Sequence, residues 1–209
     1  IQASESWYGE LHQATSRGSR EVTKKIIAFG HQKGVGKDTI IKFCIDILRP
    51  QTKNLRIVRR GFADKVYDVC HHLWGWAGFR EREYYARHHE AKNDVLANGK
   101  TVRQMLIEVG TPVMRSYDDD VWINAALKVD DFDILFVNDL RFPNEFKAIE
   151  ALGGHLVRVV RPGLPVPTDV ADTALNGWED RWHETVENNE CLNKMYKEAQ
   201  RILNRYGLA

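Results

Sequence analysis

The chain has 209 residues, and its 30 Lys and Arg against 29 Asp and Glu leave a formal net charge of +1 with histidine neutral. This length is typical of one domain with a small insertion and is long enough to bury a core without disulfides. The hydrophobic content of 43% and aromatic content of 10% argue against disorder, the charge balance argues against non-specific binding to nucleic acid, and the apolar runs are too short to span a membrane.

The predicted elements alternate between short buried strands and helices. Residues 1–22 are polar and are interpreted as an appendage, and residues 23–209 as one domain. Apolar runs predict strands at residues 24–29, 54–59, 133–138, 155–160 and 184–187. Helical spacing and capping signals predict helices at residues 38–48, 62–74, 101–110, 121–129, 143–152 and 192–203. Buried strands that alternate with helices predict an α/β fold, with a parallel sheet of about five strands flanked by helices.

Two further features concern the insertion and the cysteines. Residues 79–100 are highly charged, which predicts an exposed helical lid or an acceptor-binding insertion. The cysteines are three in number and far apart, a pattern that favours free thiols in a reducing compartment over a disulfide framework or a zinc site: Cys44, Cys70 and Cys191.

The glycine-rich loop at residues 30–39 is the most informative segment, since it lies between the first predicted strand and the first predicted helix. Glycines let backbone N–H groups turn toward phosphate oxygens, a helix N-terminus favours anions, and a lysine reaches the β- and γ-phosphates. The usual spacing would put the first glycine at His31 and Ser or Thr at Asp38. A dinucleotide-binding loop fits less well because its third glycine would fall at Thr39. We therefore predict a P-loop NTPase-like fold with a phosphate loop that binds ATP through Gly34, Val35, Gly36, Lys37, Asp38 and Thr39.

Two carboxylates are placed where a metal would bind. Asp38 follows the loop lysine, and Asp139 follows the third predicted strand at its carboxyl end. Ligands of open α/β sheets bind at those strand ends, and carboxylates hold Mg²⁺ directly or through water. We predict Mg²⁺ contacts from both, with Arg141 and Glu145 facing the same crevice. A helix-dipole role for Asp38 and a local ion pair between Asp139 and Arg141 are the alternatives.

Histidine pairs and aromatic residues in the middle of the chain have simpler interpretations. Adjacent histidines on a helix point about 100° apart and do not converge on one metal ion, which disfavours metal binding at residues 71–72 and 88–89. Trp74 and Trp76 are expected to pack in the core, and base stacking by Tyr84 or Tyr85 is a lesser alternative.

The motifs then show a family resemblance. Five segments follow one another in a characteristic order across residues 25–205. They are the glycine loop ending Gly-Lys-Asp-Thr, the Phe-Ala-Asp segment at 62–64, residues 101–111 with Trp122, the Asp-Leu-Arg-Phe-Pro-Asn-Glu stretch at 139–145, and residues 157–163. This set resembles the bacteriophage deoxynucleoside monophosphate kinases. The resemblance implies transfer of the γ-phosphoryl group of ATP to a dNMP to give a dNDP, with Mg²⁺, in the cytoplasm (that of the host cell for a viral protein).

The resemblance also implies roles for individual residues. Carried over residue by residue, it gives a catalytic set of Lys37, Asp38, Arg103 and Glu145. Substrate contacts are expected from Asp64, Arg103, Gln104, Arg115, Asp139 and Arg141. For Arg103, a solvated surface position is the alternative. The chain departs from the family at residues 65–67, where Pro-Leu-Lys is usual, and at residues 168–173, which lack the family's histidine.

Two other functions remain open from the sequence. One is another P-loop small-molecule kinase that resembles phosphomevalonate kinase. The other is a non-catalytic nucleotide-binding module. A GTPase is disfavoured because the chain has no Asn-Lys-x-Asp motif. The expected partners are small-molecule nucleotides, with neither nucleic acid nor membrane, and a homodimer is left open.

Overall fold

The computed structural model describes residues 24–52, 54–129, 131–189 and 191–208, so the predicted appendage at residues 1–22 lies outside the described part. The chain divides into two compact units, one made of the residues up to Arg59 together with those from Asp131 onward, the other of residues Arg60–Asp130. The predicted insertion at residues 79–100 falls inside the second unit. Across these described ranges, no helix is both long and apolar enough to cross a membrane.

The first unit is built on a sheet whose strands, within the described residues, are β1 (Lys25–Gly30), β2 (Ile57–Arg60), β3 (Ile134–Leu140), β4 (His155–Val160) and β5 (Glu184–Glu187). Their order is β2-β3-β1-β4-β5. The ladders β1–β3, β1–β4 and β4–β5 are parallel. The predicted α/β class with about five strands is therefore confirmed, and strand 184–187 is found at the predicted residues.

The helices alternate with these strands. In chain order they are α1 (Lys37–Leu48), α2 (Asp64–Trp74), α3 (Arg82–Arg87), α4 (Val102–Glu108), α5 (Val121–Leu127), α6 (Pro143–Ala151), α7 (Val170–Thr173) and α8 (Leu192–Arg205). Helices α2 to α5 belong to the second unit and the others to the first.

The core of the first unit lies between the sheet and helices α1 and α8. In β1, Ile27 and Phe29 are fully buried, and Phe29 meets Phe136 of β3 with ring centroids 6.3 Å apart. Helix α8 buries residues at i, i+4, i+7 and i+8, which is the stripe expected of an amphipathic helix: Met195, Ala199, Ile202 and Leu203. The phosphate loop is thus carried by a strand with buried residues on both sides.

The third strand continues further than predicted. The register pairs Ala28 with Val137 but Gly30 with Leu140, so β3 holds one more residue than β1 over this interval. An extra residue of this kind is a β-bulge, which bends the strand and redirects side chains. Asp139 therefore lies within the strand, beside the bulge, and the prediction that placed it just past the strand end is wrong by two residues.

Residues 79–100 are mostly exposed but include three buried side chains. Phe79, Tyr85 and Ala91 are buried, and helix is confined to α3 and the 3₁₀ turn Glu90–Asn93. The Phe79 and Tyr85 rings lie 5.4 Å apart in an edge-on arrangement. Most of the other residues of the segment are exposed, as their charge predicted, and the role of a lid or acceptor-binding insertion stays a prediction. Burial of Tyr85 also leaves it unsuited to stacking on a base.

The two tryptophans beside this segment do not fill the core. Trp74 is half-buried, and Trp76 is 76% exposed. Helix α2 ends at Trp74, and the 3₁₀ turn Gly75–Ala77 that follows turns Trp76 outward. The expectation that both tryptophans pack in the core is therefore wrong.

The predicted capping box at the start of α4 is confirmed. The Thr101 hydroxyl accepts from the Gln104 N–H at 3.2 Å, and the Gln104 side chain accepts from the Thr101 N–H at 2.8 Å. Helix α4 then runs into a π-helical turn, Val109–Val113, which contains Pro112. The buried Trp122 indole donates to the Gly110 carbonyl at 2.7 Å.

Candidate functional site

The loop between β1 and α1 has the backbone of a phosphate loop. Gly34 and Gly36 have φ of 78° and 102°, a region that favours glycine. His31, at the position where the motif usually has its first glycine, has φ of 115°. The chain therefore keeps a glycine-like conformation at this position without the glycine, and L side chains adopt it only at a cost in strain.

Side chains from the last third of the chain hold alternate residues of this loop. The three contacts are His31 Nε2 with Asn176 Oδ1 (3.4 Å), Lys33 N–H with Asp172 Oδ1 (2.9 Å) and Val35 carbonyl with Asn188 Nδ2 (2.9 Å). Each partner is at least 139 residues away in sequence. The loop shape is thus fixed by tertiary contacts as well as by its glycines.

Gly36 is required by its surroundings as well as by its backbone. A Cβ at this position would lie 2.5 Å from the Asn188 Nδ2 atom, closer than real Cβ atoms approach. Asn188 is itself buried and immediately follows β5. A side chain at residue 36 would therefore displace the amide that holds the Val35 carbonyl, and the φ of 102° would strain it as well.

Lys37 is a buried cation at the start of α1. It is 7% exposed, and its ammonium donates to the Gln32 carbonyl of the same loop. Burial, helped by the nearby Arg141 guanidinium, lowers its pKa from the ordinary 10.5 to about 8, while three carboxylates oppose that shift: Asp139, Asp172 and Asp38. An anion bound at this loop would stabilise the charged lysine.

Asp38 has cationic and amide partners. Its Oδ1 atom accepts from Arg59 Nη2 and from Asn138 Nδ2, both at 2.8 Å. Partial desolvation raises the pKa of this carboxyl, but the Arg59 and Asn138 bonds outweigh it and the pKa lies below its ordinary value. Desolvation is the largest single influence on this pKa, but the Arg59 and Asn138 bonds and the Arg59 and Lys37 charges together exceed it. Arg59 thus compensates the carboxylate placed beside the phosphate loop.

The residues around Asp38 fit a magnesium ion. Asn138 is 8% exposed, and its Oδ1 atom is buried without a hydrogen-bond partner among the described residues. Carboxylate and amide oxygens are ligands suited to Mg²⁺, which commonly needs only one or two carboxylates beside phosphate and water. Within the described ranges no group of three or more His, Cys, Asp and Glu side chains forms a metal site. Asp38, Asn138 and Asp139 therefore fit a metal that shares its ligands with a nucleotide.

Glu145 lies inside the protein at the start of α6. It is 2% exposed, and its Oε2 atom accepts from the Arg141 and Phe142 N–H groups at 2.9 and 3.1 Å. This contact caps the helix and fixes the backbone that carries Arg141. The Arg141 side chain in turn donates from Nη1 to Asp172 Oδ1 at 2.6 Å. The residue predicted to act at the reaction centre is thus placed to position Arg141.

The remaining predicted residues lie in the second unit. Asp64 accepts from the Gly61 N–H at 2.8 Å and pairs with Arg82 at 2.5 Å. Arg103 is half-buried and donates from Nε to Asn93 Oδ1 at 3.3 Å.

Gln104 and Arg115 also have structural partners there. Gln104 is used in the capping box. The Arg115 side chain is 9% exposed and lies 3.6 Å from the Asp119 carboxylate. The structure therefore collects Lys37, Asp38, Asp139, Arg141 and Glu145 in one unit and Asp64, Arg103, Gln104 and Arg115 in the other.

Sequence reasoning missed several residues that shape the site. Asn138 could have been found, since it adjoins Asp139 at the carboxyl end of a buried strand. The others reach the loop or Asp38 from distant parts of the chain, which no local pattern reveals: Arg59, Asp172, Asn176 and Asn188.

Comparison with known proteins gives a viral relative. No protein-family model matches the chain. The chain is similar to a protein of Acanthamoeba polyphaga mimivirus named "Putative deoxynucleotide monophosphate kinase", with 25% identity over 185 residues, 79% of this chain and 89% of the viral protein. The loop geometry and this similarity support a P-loop kinase, a phosphotransferase that uses a nucleotide.

Solved structures give weaker likenesses. Shikimate kinase from Acinetobacter baumannii is 14% identical with a TM-score of 0.41, over 88% of this chain and 93% of that chain. Shikimate kinase from Aquifex aeolicus is 12% identical with a TM-score of 0.38, over 88% of this chain and 99% of that chain. With TM-scores below 0.5, these two similarities support no conclusion about function.

Proposed function

We propose that the chain is a deoxynucleoside monophosphate kinase that transfers the γ-phosphoryl group of ATP to a dNMP, with Mg²⁺. The observation that carries the proposal is the buried Lys37 in its phosphate loop, opposite Asp38, Asn138 and Asp139. The acceptor class rests on the motif resemblance and on the name of the mimivirus relative. By the same similarity we propose a virus-encoded protein that acts in the host cytoplasm.

Lys37 and the loop N–H groups would bind the phosphates of the donor. Phosphoryl transfer proceeds with negative charge spread over the transferred group, so positioned cations supply most of the catalysis. Lys37 is already buried beside the loop, where its ammonium donates to the Gln32 carbonyl. Bound MgATP supplies the phosphoryl group and the metal's positive charge.

The metal would be held by oxygens at the carboxyl edge of the sheet. Asp38 and Asp139 offer carboxylates, and Asn138 offers its buried amide oxygen. Arg59 limits the repulsion between Asp38 and the phosphates. Glu145 fixes the Arg141 backbone, and Arg141 would contact a phosphate through the guanidinium N–H groups that Asp172 does not use.

Residues of the second unit would bind the acceptor. The motif resemblance assigns phosphate or substrate contacts to Arg103, Gln104, Arg115 and Asp64. Arginine suits this task because its planar fork can make two parallel bonds to a phosphate. In this proposal the present partners of these side chains, Asn93 and Asp119 among them, orient them for binding.

A coupled assay of ADP formation tests the function. ATP is offered with each dNMP in turn, then with phosphomevalonate, then with no acceptor. ADP that appears only with a dNMP supports the proposal. ADP that appears only with phosphomevalonate favours the alternative kinase, and binding of ATP without ADP in any mixture favours a non-catalytic module.

One substitution tests the proposed donor-binding residue Lys37, and another tests the proposed acceptor-binding residue Arg103. Lys37→Ala and Arg103→Ala should each lower turnover by about a hundredfold or more, the scale of lost electrostatic stabilisation of a transition state. Lys42→Ala and Arg87→Ala are matched controls, because both side chains are exposed and pair locally with Asp46 and the Glu83 carbonyl. Near-full activity of Arg103→Ala would remove that residue from the mechanism.

A further inference from the structure

Asp172 is a buried carboxylate that joins two elements of the candidate site. It lies in the short helix α7 and is 7% exposed. Its Oδ1 atom accepts from the Lys33 N–H of the phosphate loop at 2.9 Å and from Arg141 Nη1 at 2.6 Å. A buried carboxylate is stable only when such donors replace its hydration. The sequence predicts no role for residues 168–173, which lack the histidine of the kinases that the chain resembles.

The segment that carries Asp172 is anchored on both sides of the carboxylate. Before it, Asp169 caps α7 by accepting from the Ala171 N–H at 2.8 Å. After it, Leu175 is 1% exposed, and Asn176 contacts His31 of the phosphate loop. The carboxylate is therefore held in place by packing and hydrogen bonds on its own segment.

We propose that Asp172 is a positioning residue that ties the phosphate loop to Arg141, so that both act on the same phosphate chain. This inference rests on the proposed function. One carboxylate oxygen holds a loop N–H and the guanidinium together, and the guanidinium keeps N–H groups for a substrate phosphate.

The opposite role for Asp172 is that of a displaceable anion. In that role its carboxylate would occupy the loop until a nucleotide replaces it, and its removal would strengthen nucleotide binding. The burial of Asp172 and the anchoring of α7 favour a permanent contact, whose removal weakens binding. Removal of the Asp172 carboxylate therefore strengthens nucleotide binding in one role and weakens it in the other.

Three variants test the role. Asp172→Asn keeps an oxygen for the Lys33 N–H but removes the charge that holds Arg141. Asp172→Ala removes both. Asp169→Asn is the control, since it changes the exposed carboxylate that caps the same helix by accepting from the Ala171 N–H and that contacts neither the loop nor Arg141 in the structure.

Calorimetry measures the Kd for MgATP of each variant, and the coupled assay measures its kcat. The expected changes in these two quantities differ from one variant to the next. Asp172→Asn should lower kcat about tenfold while the Kd for MgATP changes less than about threefold, because the loop contact survives. Asp172→Ala should also raise that Kd about tenfold. Asp169→Asn should change neither quantity more than about twofold. Arg141→Ala should abolish the effect of Asp172→Asn on kcat, as coupled residues do.

Several results would overturn the inference. Tighter ATP binding by Asp172→Ala would show a displaceable anion, and equal losses in Asp169→Asn would show that α7 stability alone matters. Binding of ATP requires no acceptor, so failure of the kinase proposal leaves this measurement intact. Hydrogen exchange of the Lys33 amide needs no nucleotide at all: it should be at least about tenfold faster in Asp172→Ala, and an unchanged rate refutes the contact.

Discussion

At the residue scale, the candidate site places a buried lysine and a strained histidine in one short loop. Lys37 is held in a poorly solvated position where its charged form is disfavoured, and His31 is held at a φ of 115°. Strain and unfavourable charge of this kind persist when the surrounding structure imposes them, and they cluster at functional sites. We therefore expect the charge of Lys37 and the backbone of His31 to change when an anion occupies the loop.

The lysine predicts a pH dependence of nucleotide binding. Because phosphate favours the charged form of Lys37, ATP affinity should fall as pH rises through about 8, by up to about tenfold per pH unit. Calorimetry from about pH 6.5 to about pH 9.5 measures this slope. Lys37→Arg is the control, because arginine keeps its charge over the whole range and should show no slope above pH 8.

Folding stability should change in the opposite direction. The pKa of Lys37 is about 8 in the folded chain and 10.5 ordinarily, so between these values the unfolded chain binds more protons. The free energy of unfolding contributed by this group therefore rises with pH across that window. A slope that is the same in Lys37→Met and in the unchanged chain would contradict the assignment.

The positive φ of His31 predicts that glycine and valine at this position differ in their effect on stability. Glycine tolerates the backbone of residue 31 and a β-branched residue does not, so His31→Gly should exceed His31→Val in unfolding free energy by about 1–3 kcal/mol. His31→Gly removes the buried imidazole and its long contact of 3.4 Å with Asn176 but keeps the backbone of the loop, so ATP affinity should stay within about threefold. Urea denaturation and calorimetry of the pair measure both. Equal stabilities of the pair would show that the loop does not impose this backbone.

At the element scale, the end of β3 and the start of α6 form one rigid connection. The bulge at Asn138 and Asp139 directs the Asn138 side chain toward Asp38 of α1, and six residues after Asp139 the Glu145 carboxylate caps the next helix through the Arg141 and Phe142 N–H groups. A capping carboxylate also interacts favourably with the helix dipole. The connection thus places the proposed metal ligands Asn138 and Asp139 and the Arg141 guanidinium within eight consecutive residues.

The Glu145 contacts predict unequal effects of two substitutions. Glu145→Gln keeps a carbonyl oxygen for the two N–H groups and should retain at least about a tenth of the turnover. Glu145→Ala leaves those groups unpaired and should lower the free energy of unfolding by about 2 kcal/mol as well as turnover. Urea denaturation and the coupled assay measure the two effects. If Glu145→Gln is as inactive as Glu145→Ala but stable, the carboxylate acts in the reaction directly.

Elements were predictable from sequence where the signals are local. The capping box at Thr101, the strand at 184–187 and the apolar stripe of α8 depend on neighbouring residues and were predicted. The bulge in β3 depends on pairing with β1, about a hundred residues away, and was not. The phosphate loop was found from its glycines and lysine, whereas Asp172 and Asn188 reach it through tertiary contacts that have no local signature.

At the whole-molecule scale, the chain divides its predicted site residues between two compact units. The sheet unit contains Lys37, Asp38, Asp139, Arg141 and Glu145, and residues Arg60–Asp130 contain Asp64, Arg103, Gln104 and Arg115. The sequence predicted a single domain with an insertion at residues 79–100. Charge composition pointed to that narrower segment, whereas the compact unit Arg60–Asp130 extends beyond it on both sides.

Nucleotide binding to the folded chain should raise the temperature of thermal unfolding. A ligand present at about one hundred times its Kd stabilises the folded state by about 2.7 kcal/mol. For a chain of this size that corresponds to a rise in Tm of about 5–10 °C. Differential scanning fluorimetry with MgATP should show the rise, and Lys37→Ala should abolish it while Lys42→Ala retains it. A rise that persists in Lys37→Ala would place nucleotide binding elsewhere.

The three cysteines give the molecule a natural attachment point for a probe. Cys44 and Cys70 are buried, and burial raises the pKa of each thiol to about 12, which leaves both unreactive toward maleimides at neutral pH. Cys191 is exposed and lies three residues after Asn188, the side chain that holds the Val35 carbonyl. A fluorophore can therefore be attached to Cys191 of the unmodified chain, close to the phosphate loop, and can report nucleotide binding in real time without any engineered mutation.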